Sequence, residues 1–360
     1  MLDWKIIRKF RPVNFCRGVG VSFFIIQEIF IFYWEYILAL HNHFKLLIYD
    51  FFKMVQKDGE KKIALPKTYK YFSVFLSMKC NLKCSYCLNE FDENFNRKRF
   101  RELSGEEWVS TLNRIESRPE VPVTFGGGEP LLHRDFIYIL NNLKPELKID
   151  ILTNLSYKRG IEKLLNEVNP DRIKRDSQYA SIRVSYHPEQ MGDGAELLEN
   201  VKMLKDAGFS IGIWSVLYPG PKELSAMNHM QFKCRDLGIE FRIKDFTGKY
   251  EGVDNKGISF SILHGDYSKY SDSIFQENTR ECLCRTSELL IGPDGNVYRC
   301  HRDLYAEEFS VGKITESDFQ IKDIFRFCNK YGQCHPCDVK VKTNYKQELG
   351  HTSVEIKDIK

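Results

Sequence analysis

Apolar and polar positions follow two alternating patterns along most of the chain. Between residues 71 and 245, short runs rich in β-branched and aromatic residues are followed by longer segments in which apolar positions recur every three to four residues. The short runs predict strands and the longer segments predict amphipathic helices. We predict strands at 71–76, 121–125, 149–152, 182–185, 210–217 and 239–243. We predict helices at 104–117, 135–143, 158–168, 195–207 and 223–237.

Regular alternation of strands and helices is typical of a parallel sheet built from βα units. Six such units predict an α/β fold, a partial (β/α)6 TIM-like barrel, in which ligands bind at the carboxyl ends of the strands. We place this core at residues 70–250. Two later apolar runs flank a Pro-Asp-Gly-Asn turn at 293–296, which predicts a β-hairpin. We therefore expect a small C-terminal extension built on that hairpin at 251–345, and a polar tail at 346–360.

An apolar extension, residues 1–60, precedes the predicted core. Its segment 18–40 is almost wholly apolar and aromatic, broken chiefly by Glu28 and Glu35. In a bilayer, two glutamates cost roughly as much free energy as the apolar residues return. Three interpretations remain open: sequence upstream of a true translation start at Met54, a helix packed on the protein body, or a helix at a membrane surface. We rank membrane contact last.

Composition and charge are those of an ordinary soluble globular protein, with 42% hydrophobic and 28% charged residues. The net charge of +4 is too small to indicate a nucleic-acid partner. Nine of the eleven cysteines fall into three groups, at positions 80/84/87, 282/284/300 and 328/334/337. This grouping, with no cleavable secretion signal, favours a reducing, cytoplasmic compartment and iron–sulfur ligation over disulfides.

The first cysteine group has the spacing C-x3-C-x2-C and consists of Cys80, Cys84 and Cys87, shortly after the first predicted strand. Three closely spaced thiolates can bind three irons of a [4Fe-4S] cluster and leave the fourth iron without a protein ligand. A zinc site usually takes four protein ligands, and no fourth candidate lies nearby in the sequence. The spacing therefore favours a cluster with an open iron over a zinc site or a disulfide loop.

The second motif is Gly127-Gly128-Glu129-Pro130, at the end of the second predicted strand. Glycines let the backbone approach a ligand closely, and a carboxylate can pair with an ammonium group. For this motif taken alone, a glycine turn with a solvated glutamate is the alternative.

Together the two motifs resemble those of the radical S-adenosylmethionine (SAM) superfamily, including the aromatic Tyr86 before the last cysteine. The resemblance implies that the three cysteines are catalytic and bind a [4Fe-4S] cluster whose open iron chelates SAM. It implies that the Gly-Gly-Glu-Pro residues bind the amino group of SAM. It also implies that Asn154 and Ser185, at the ends of the third and fourth strands, contact the SAM carboxylate and ribose.

Further cysteines follow the predicted core. Cys284 and Cys300 fit the pattern C-x10-G-x4-C, and Cys282 is the alternative first cysteine. The hairpin between them brings both ends together, while Cys334 and Cys337 supply a C-x2-C pair. Two pairs complete a four-thiolate site that suits an auxiliary [4Fe-4S] cluster or zinc.

The same spacing resembles the SPASM and twitch extensions of radical SAM enzymes, which hold auxiliary [4Fe-4S] clusters. The short sequence after Cys337 favours the twitch form with one cluster. Cys328 remains an alternative ligand.

The resemblance implies an enzyme that reductively cleaves SAM to a 5′-deoxyadenosyl radical, which abstracts hydrogen from an unactivated carbon. We expect a two-electron oxidation of a small or carbohydrate-like substrate, assisted by the auxiliary cluster, with ferredoxin or flavodoxin as electron donor. One alternative is a radical SAM enzyme that modifies peptides or proteins. The alternative from another class is a non-catalytic iron–sulfur electron-transfer or binding protein.

Overall fold

A computed structural model describes ten stretches of the chain. They are 41, 44–45, 61–84, 87, 101–218, 220–245, 248–253, 259–264, 280–331 and 354–359. The chain divides into two compact units, Met1–Glu60 and Lys61–Lys360. The apolar segment 18–40 and Met54 lie outside the described residues. The three interpretations of the N-terminal extension therefore stay open. No helix in the described stretches is long and apolar enough to cross a bilayer.

The second unit is organised around a nine-stranded mixed sheet, preceded by a short strand β1 (Ile63–Ala64) that pairs with β3 (Ile115–Glu116). Six parallel neighbours of the large sheet are β2 (Tyr71–Phe75), β4 (Val123–Gly126), β5 (Ile149–Thr153), β6 (Ile182–Tyr186), β7 (Ile211–Leu217) and β8 (Glu240–Asp245). All six predicted strands are confirmed within two residues of their expected bounds. Their apolar runs are buried almost continuously, as expected for parallel strands covered on both faces.

Helices connect these strands at the predicted places. They are α1 (Gly105–Asn113), α2 (Phe136–Asn142), α3 (Lys158–Glu167), α4 (Pro188–Met191), α5 (Ala195–Asp206) and α6 (Pro221–Asp236). The short α4 has no counterpart among the predicted helices. Helix and sheet share one core, in which Phe125 of β4 meets Phe136 of α2 edge to face at 5.5 Å between ring centroids.

The first helix shows how the local sequence sets the boundaries. Ser104 caps α1 through a capping box with Glu107, in which each side chain accepts from the other residue's backbone N–H. The helix ends at Asn113 rather than near 117, because Ile115 leaves it to pair with Ile63 of β1. Sheet pairing here overrides the continuing helical pattern of the sequence.

The predicted hairpin is present and joins the large sheet. It consists of β12 (Glu288–Ile291) and β13 (Asn296–Tyr298), and β14 (Ser310–Lys313) pairs with β13. β12 lies parallel to β2, so the hairpin extends the sheet beyond its first strand. TIM-like closure of the sheet stays a prediction.

Three further strands form a separate sheet that carries several cysteines. In this sheet β11 (Arg280–Thr286) lies between β15 (Arg326–Tyr331) and β16 (Val354–Asp358), antiparallel to both. A two-stranded antiparallel pair, β9 (Gly248–Val253) and β10 (Ser259–His264), precedes it in the chain. A short helix α7 (His301–Ala306) follows the hairpin.

Candidate active site

The predicted site residues converge on the carboxyl ends of neighbouring strands. The cysteine loop follows β2, the glycine loop follows β4, and Thr153 with Asn154 ends β5. Ser185 is the penultimate residue of β6, where it lies half-buried and opposite Trp214 of β7. Parallel strands bring their carboxyl ends to the same edge, so sequence-distant residues become neighbours there.

The cysteine loop places its three thiols at different depths. Cys80 is exposed, Cys84 is buried and Cys87 is half-buried. The N–H of Leu82 donates to Cys80 Sγ at 3.4 Å, and the N–H of Cys87 donates to the Cys84 carbonyl at 3.0 Å. Amide donors to sulfur are a feature of iron–sulfur ligation, in which they adjust the cluster potential.

The glycine loop packs directly against the backbone that leads into Cys80. The N–H of Gly128 donates to the Ser77 carbonyl at 2.9 Å, and the N–H of Glu129 donates to the Lys79 carbonyl at 2.7 Å. A Cβ on Gly128 would lie 1.9 Å from the Lys79 oxygen, and Gly127 has a φ of +116°. Both glycines are therefore required by the fold itself, because a side chain would collide with the cysteine loop.

The Glu129 side chain has three hydrogen-bond partners within the protein, and its contact with the SAM ammonium group stays a prediction. Its side chain is buried, with Oε1 accepting from Thr153 Oγ1 at 2.6 Å and from the Leu131 N–H at 3.0 Å. Oε2 accepts from the Asn154 N–H at 2.6 Å. The carboxyl group turns inward because the backbone N–H of Asn154, where β5 ends, takes Glu129 as its acceptor. Glu129 thus ties the end of β4 to the end of β5.

Burial raises the pKa of Glu129 to about 7, although the hydrogen bonds from Thr153, Asn154 and Leu131 act to lower it. In the native state this carboxyl group therefore holds its proton at pH values where the unfolded chain has released it. The stability that the group contributes accordingly falls as the pH rises from about 4.5 to about 7.

We expect Glu129→Gln to lower the free energy of unfolding by about 1–3 kcal/mol, because an amide nitrogen cannot accept from the Asn154 N–H. The deficit should be larger at pH 6 than at pH 8, since only the wild type gains stability from the protonated carboxyl group. Urea denaturation at both pH values measures it. If Glu129→Gln is as stable as the wild type at both pH values, the hydrogen-bonding role is wrong.

Asn154 connects the end of β5 to the cysteine loop. Its Nδ2 donates to Asn81 Oδ1 at 2.9 Å and lies 3.6 Å from Cys80 Sγ. Its Oδ1 accepts from Ser156 Oγ at 2.7 Å, which fixes the orientation of the amide. The next residue, Leu155, is buried with a φ of +50°, a strained conformation for a leucine. The structure therefore holds Asn154 beside the first cysteine of the loop.

Sequence reasoning missed two other contacts of the cysteine loop. The side chain of Gln190 in α4 makes two hydrogen bonds to the backbone of Lys83. It accepts from the Lys83 N–H at 3.4 Å and donates to the Lys83 carbonyl at 3.1 Å. Ser77 donates to Glu102 at 2.7 Å and accepts from the Lys79 N–H at 3.0 Å. A glutamine near the end of a strand carries no distinctive spacing, so nothing in the sequence pattern marked it.

Helix α7 brings the hairpin region close to the same loop. Burial raises the pKa of Tyr305, and the negative charges that Cys87 and Tyr71 can carry raise it further. The Tyr305 ring also meets Phe75 edge to face, with 6.0 Å between centroids. Because Cys300 is the N-cap residue of α7, one short helix connects both groups of cysteines.

The C-terminal cysteines are only partly described. Cys282 and Cys284 of β11 are buried, and Cys300 is half-buried. Cys334 and Cys337 lie outside the described residues, so their predicted ligation stays a prediction. Cys328 of β15, the predicted alternative, is buried directly opposite Cys282.

The donor set of the first cysteine loop suits an iron–sulfur cluster. Over the described stretches, no three His, Cys, Asp or Glu side chains are close enough to hold a single metal ion. A four-iron cluster separates its cysteine ligands more widely than a single ion does, so the set of donors is the relevant test. In the first loop that set is three thiols, one of them bonded to an amide N–H and lying near Asn154.

Residues 74–232 match the family model described as Radical SAM superfamily. Curated relatives include a probable GTP 3′,8-cyclase of Methanocella arvoryzae, 34% identical over 40% of this chain and 44% of that protein. The antilisterial bacteriocin subtilosin biosynthesis protein AlbA of Bacillus subtilis is 24% identical over 68% of this chain and 57% of that protein. This chain thus spans about half the length of these two relatives.

Among solved structures, native anSMEcpe with bound AdoMet is 16% identical to this chain, with a TM-score of 0.41. That similarity covers 68% of this chain and 78% of the other. The match of 74–232 to the superfamily model begins within β2 and includes all three loop cysteines, the glycine motif and the strands β4 to β7. The chain therefore contains a radical SAM domain at residues 74–232.

Proposed function

We propose that this protein is a radical SAM enzyme that oxidises a small or carbohydrate-like substrate by two electrons, assisted by an auxiliary [4Fe-4S] cluster. The observation that carries the proposal is the contact between the glycine loop and the cysteine loop at the carboxyl ends of β4 and β2. A non-catalytic electron carrier has no use for this arrangement.

Each loop has its own task in the proposed reaction. The three loop cysteines bind the [4Fe-4S] cluster, and Asn154 orients Cys80 through the contact with its sulfur. Gly127, Gly128, Glu129 and Pro130 bind the amino group of SAM, and the Glu129 side chain also positions the backbone of this loop. Ser185 contacts the ribose.

When bound, the cluster and SAM supply a 5′-deoxyadenosyl radical that takes a hydrogen atom from an unactivated carbon. The protein binds and orients SAM and the substrate, and it excludes water from the reacting groups. We propose ferredoxin or flavodoxin as the electron donor, in the cytoplasm.

A second candidate is a radical SAM enzyme that modifies peptides. The similarity to AlbA favours it, because that match covers 271 residues and so extends beyond the 74–232 domain. Relatives described as GTP 3′,8-cyclases act on a small nucleotide and favour the first candidate. Assays of 5′-deoxyadenosine formation with peptide and small-molecule libraries separate the two substrate classes.

We expect the anaerobically reconstituted protein to convert SAM to 5′-deoxyadenosine with dithionite.

Cys284→Ala should retain this cleavage but lose substrate oxidation, since a substrate radical without an electron acceptor cannot form the oxidised product. Cys284 is the better choice than Cys300, whose helix carries Tyr305 against Phe75 at the end of β2, the strand before the cysteine loop. Product analysis beside 5′-deoxyadenosine measurement tests both effects. Full product formation without the second cluster would contradict the auxiliary role.

A further inference from the structure

The three-stranded sheet presents one face of buried cysteines. Along β11, Cys282 and Cys284 are buried while Glu281 is exposed and Leu283 is half-buried. Successive side chains of a strand point to opposite faces, so Cys282 and Cys284 share one face. On β15, Cys328 is buried, whereas its two neighbours, Phe327 and Asn329, are exposed.

The strand register brings Cys328 to the same face. Cys282 and Cys328 are directly opposed across the antiparallel pair of β11 and β15. Directly opposed residues have Cβ atoms about 4.5–5.5 Å apart, and diagonal neighbours such as Cys284 and Cys328 lie about 7–8 Å apart. Three thiols of two neighbouring strands therefore gather in one buried patch.

The fourth thiol comes from the hairpin. Arg299 donates to the carbonyl of Phe327, so the residue before Cys300 contacts the residue before Cys328. Cys300 is the N-cap residue of α7, at the end of the hairpin that starts beside β11. All four are thiols rather than disulfides in the described part of the chain. Thiols bind a metal by releasing their protons.

A buried cation accompanies these thiols. Arg299 is buried and donates to the buried carboxylate of Asp303. Arg299 also donates to the carbonyl of Phe327, the residue before Cys328. The guanidinium thus lies beside the strand that carries Cys328.

We propose that Cys282, Cys284, Cys300 and Cys328 together form the four-thiolate site of the auxiliary cluster, in place of the predicted pair Cys334 and Cys337. This inference rests on the proposed function for the identity of the bound group, a [4Fe-4S] cluster. The choice of ligands rests on the register and burial of the strands.

The test uses full-length protein in which Cys80, Cys84 and Cys87 are alanine, so that all remaining iron belongs to the C-terminal site. After anaerobic reconstitution we expect about four irons per chain. Adding Cys328→Ala should reduce this to less than one iron and remove the cluster absorption and Mössbauer signal. Adding Cys334→Ala with Cys337→Ala should leave about four irons.

Two controls exclude a folding defect. Cys234→Ala removes another fully buried cysteine, outside the patch, and should lose no iron. With the three loop cysteines intact, Cys328→Ala should keep about four irons in the radical SAM domain.

The outcomes separate this inference from the proposed function. Retention of four irons in Cys328→Ala, or their loss in the double variant, would overturn the ligand set and leave the auxiliary cluster standing. One zinc in place of iron, lost with Cys328→Ala, would support the ligand set and overturn the cluster. A Cys282–Cys328 disulfide in the anaerobically loaded protein, seen by mass spectrometry after alkylation, would overturn the site.

Discussion

Replacing Cys80, Cys84 and Cys87 together by alanine is expected to abolish the conversion of SAM to 5′-deoxyadenosine. Wild type should hold about eight irons after anaerobic reconstitution, and the triple variant about four, because one of two [4Fe-4S] clusters loses all its protein ligands. Without that cluster the protein has no iron with an open position to bind SAM and pass an electron to it. Iron and sulfide analysis, with chromatographic measurement of 5′-deoxyadenosine, checks both values.

A matched variant makes this result specific to the loop. Cys234→Ala removes a buried thiol of α6 and should retain full iron content and full SAM cleavage. A triple variant that keeps eight irons would show that the SAM cluster is bound elsewhere.

Gly128→Ala is expected to reduce SAM cleavage by about 100-fold. Its Cβ would lie 1.9 Å from the Lys79 carbonyl oxygen and 2.4 Å from the carbonyl carbon. Since real Cβ contacts are not shorter than 3.0 Å, the backbone before Cys80 must move by about 1 Å, and a displacement of that size near reacting groups costs on the order of 100-fold in rate. The crowding should also cost about 3 kcal/mol of stability. Cleavage rates and urea denaturation measure the two effects.

Gly126→Ala is the control from the same segment. A Cβ there would lie 3.6 Å from Leu152, an ordinary van der Waals contact. We expect this variant to stay within about tenfold of wild-type cleavage, so similar losses in both variants would refute the specific contact with Lys79. If the cysteine loop tolerates Gly128→Ala without loss, the two loops are not interlocked as described.

Local pattern was sufficient for most of the domain at residues 74–232. The strand and helix positions followed from apolar periodicity, because each βα unit buries a short continuous run in the sheet. The capping box at Ser104 followed from side chains that satisfy the first backbone donors of α1. The placement of the cysteine and glycine loops at one edge of the sheet followed as well, since the carboxyl ends of parallel strands all lie at the same edge.

The tertiary structure decided what sequence spacing cannot express. Glu129 turns inward because the Thr153 hydroxyl and the Asn154 N–H, at the end of β5, donate to its buried carboxyl group. The need for glycine at 128 comes from Lys79, about fifty residues earlier, whose carbonyl occupies the space of a side chain.

The sequence by itself determined which residues carry thiols, carboxyl groups and glycines, and the order of the strands along the chain. It could not pair Cys328 with Cys282, since a one-residue change of strand register would point Cys328 to the opposite face. Nor could it bring Gln190 to Lys83, because hydrogen bonds between distant loops leave no periodic trace in either segment. Periodicity reports which face of an element is buried, whereas contacts between elements depend on register and loop path, which only the folded chain fixes.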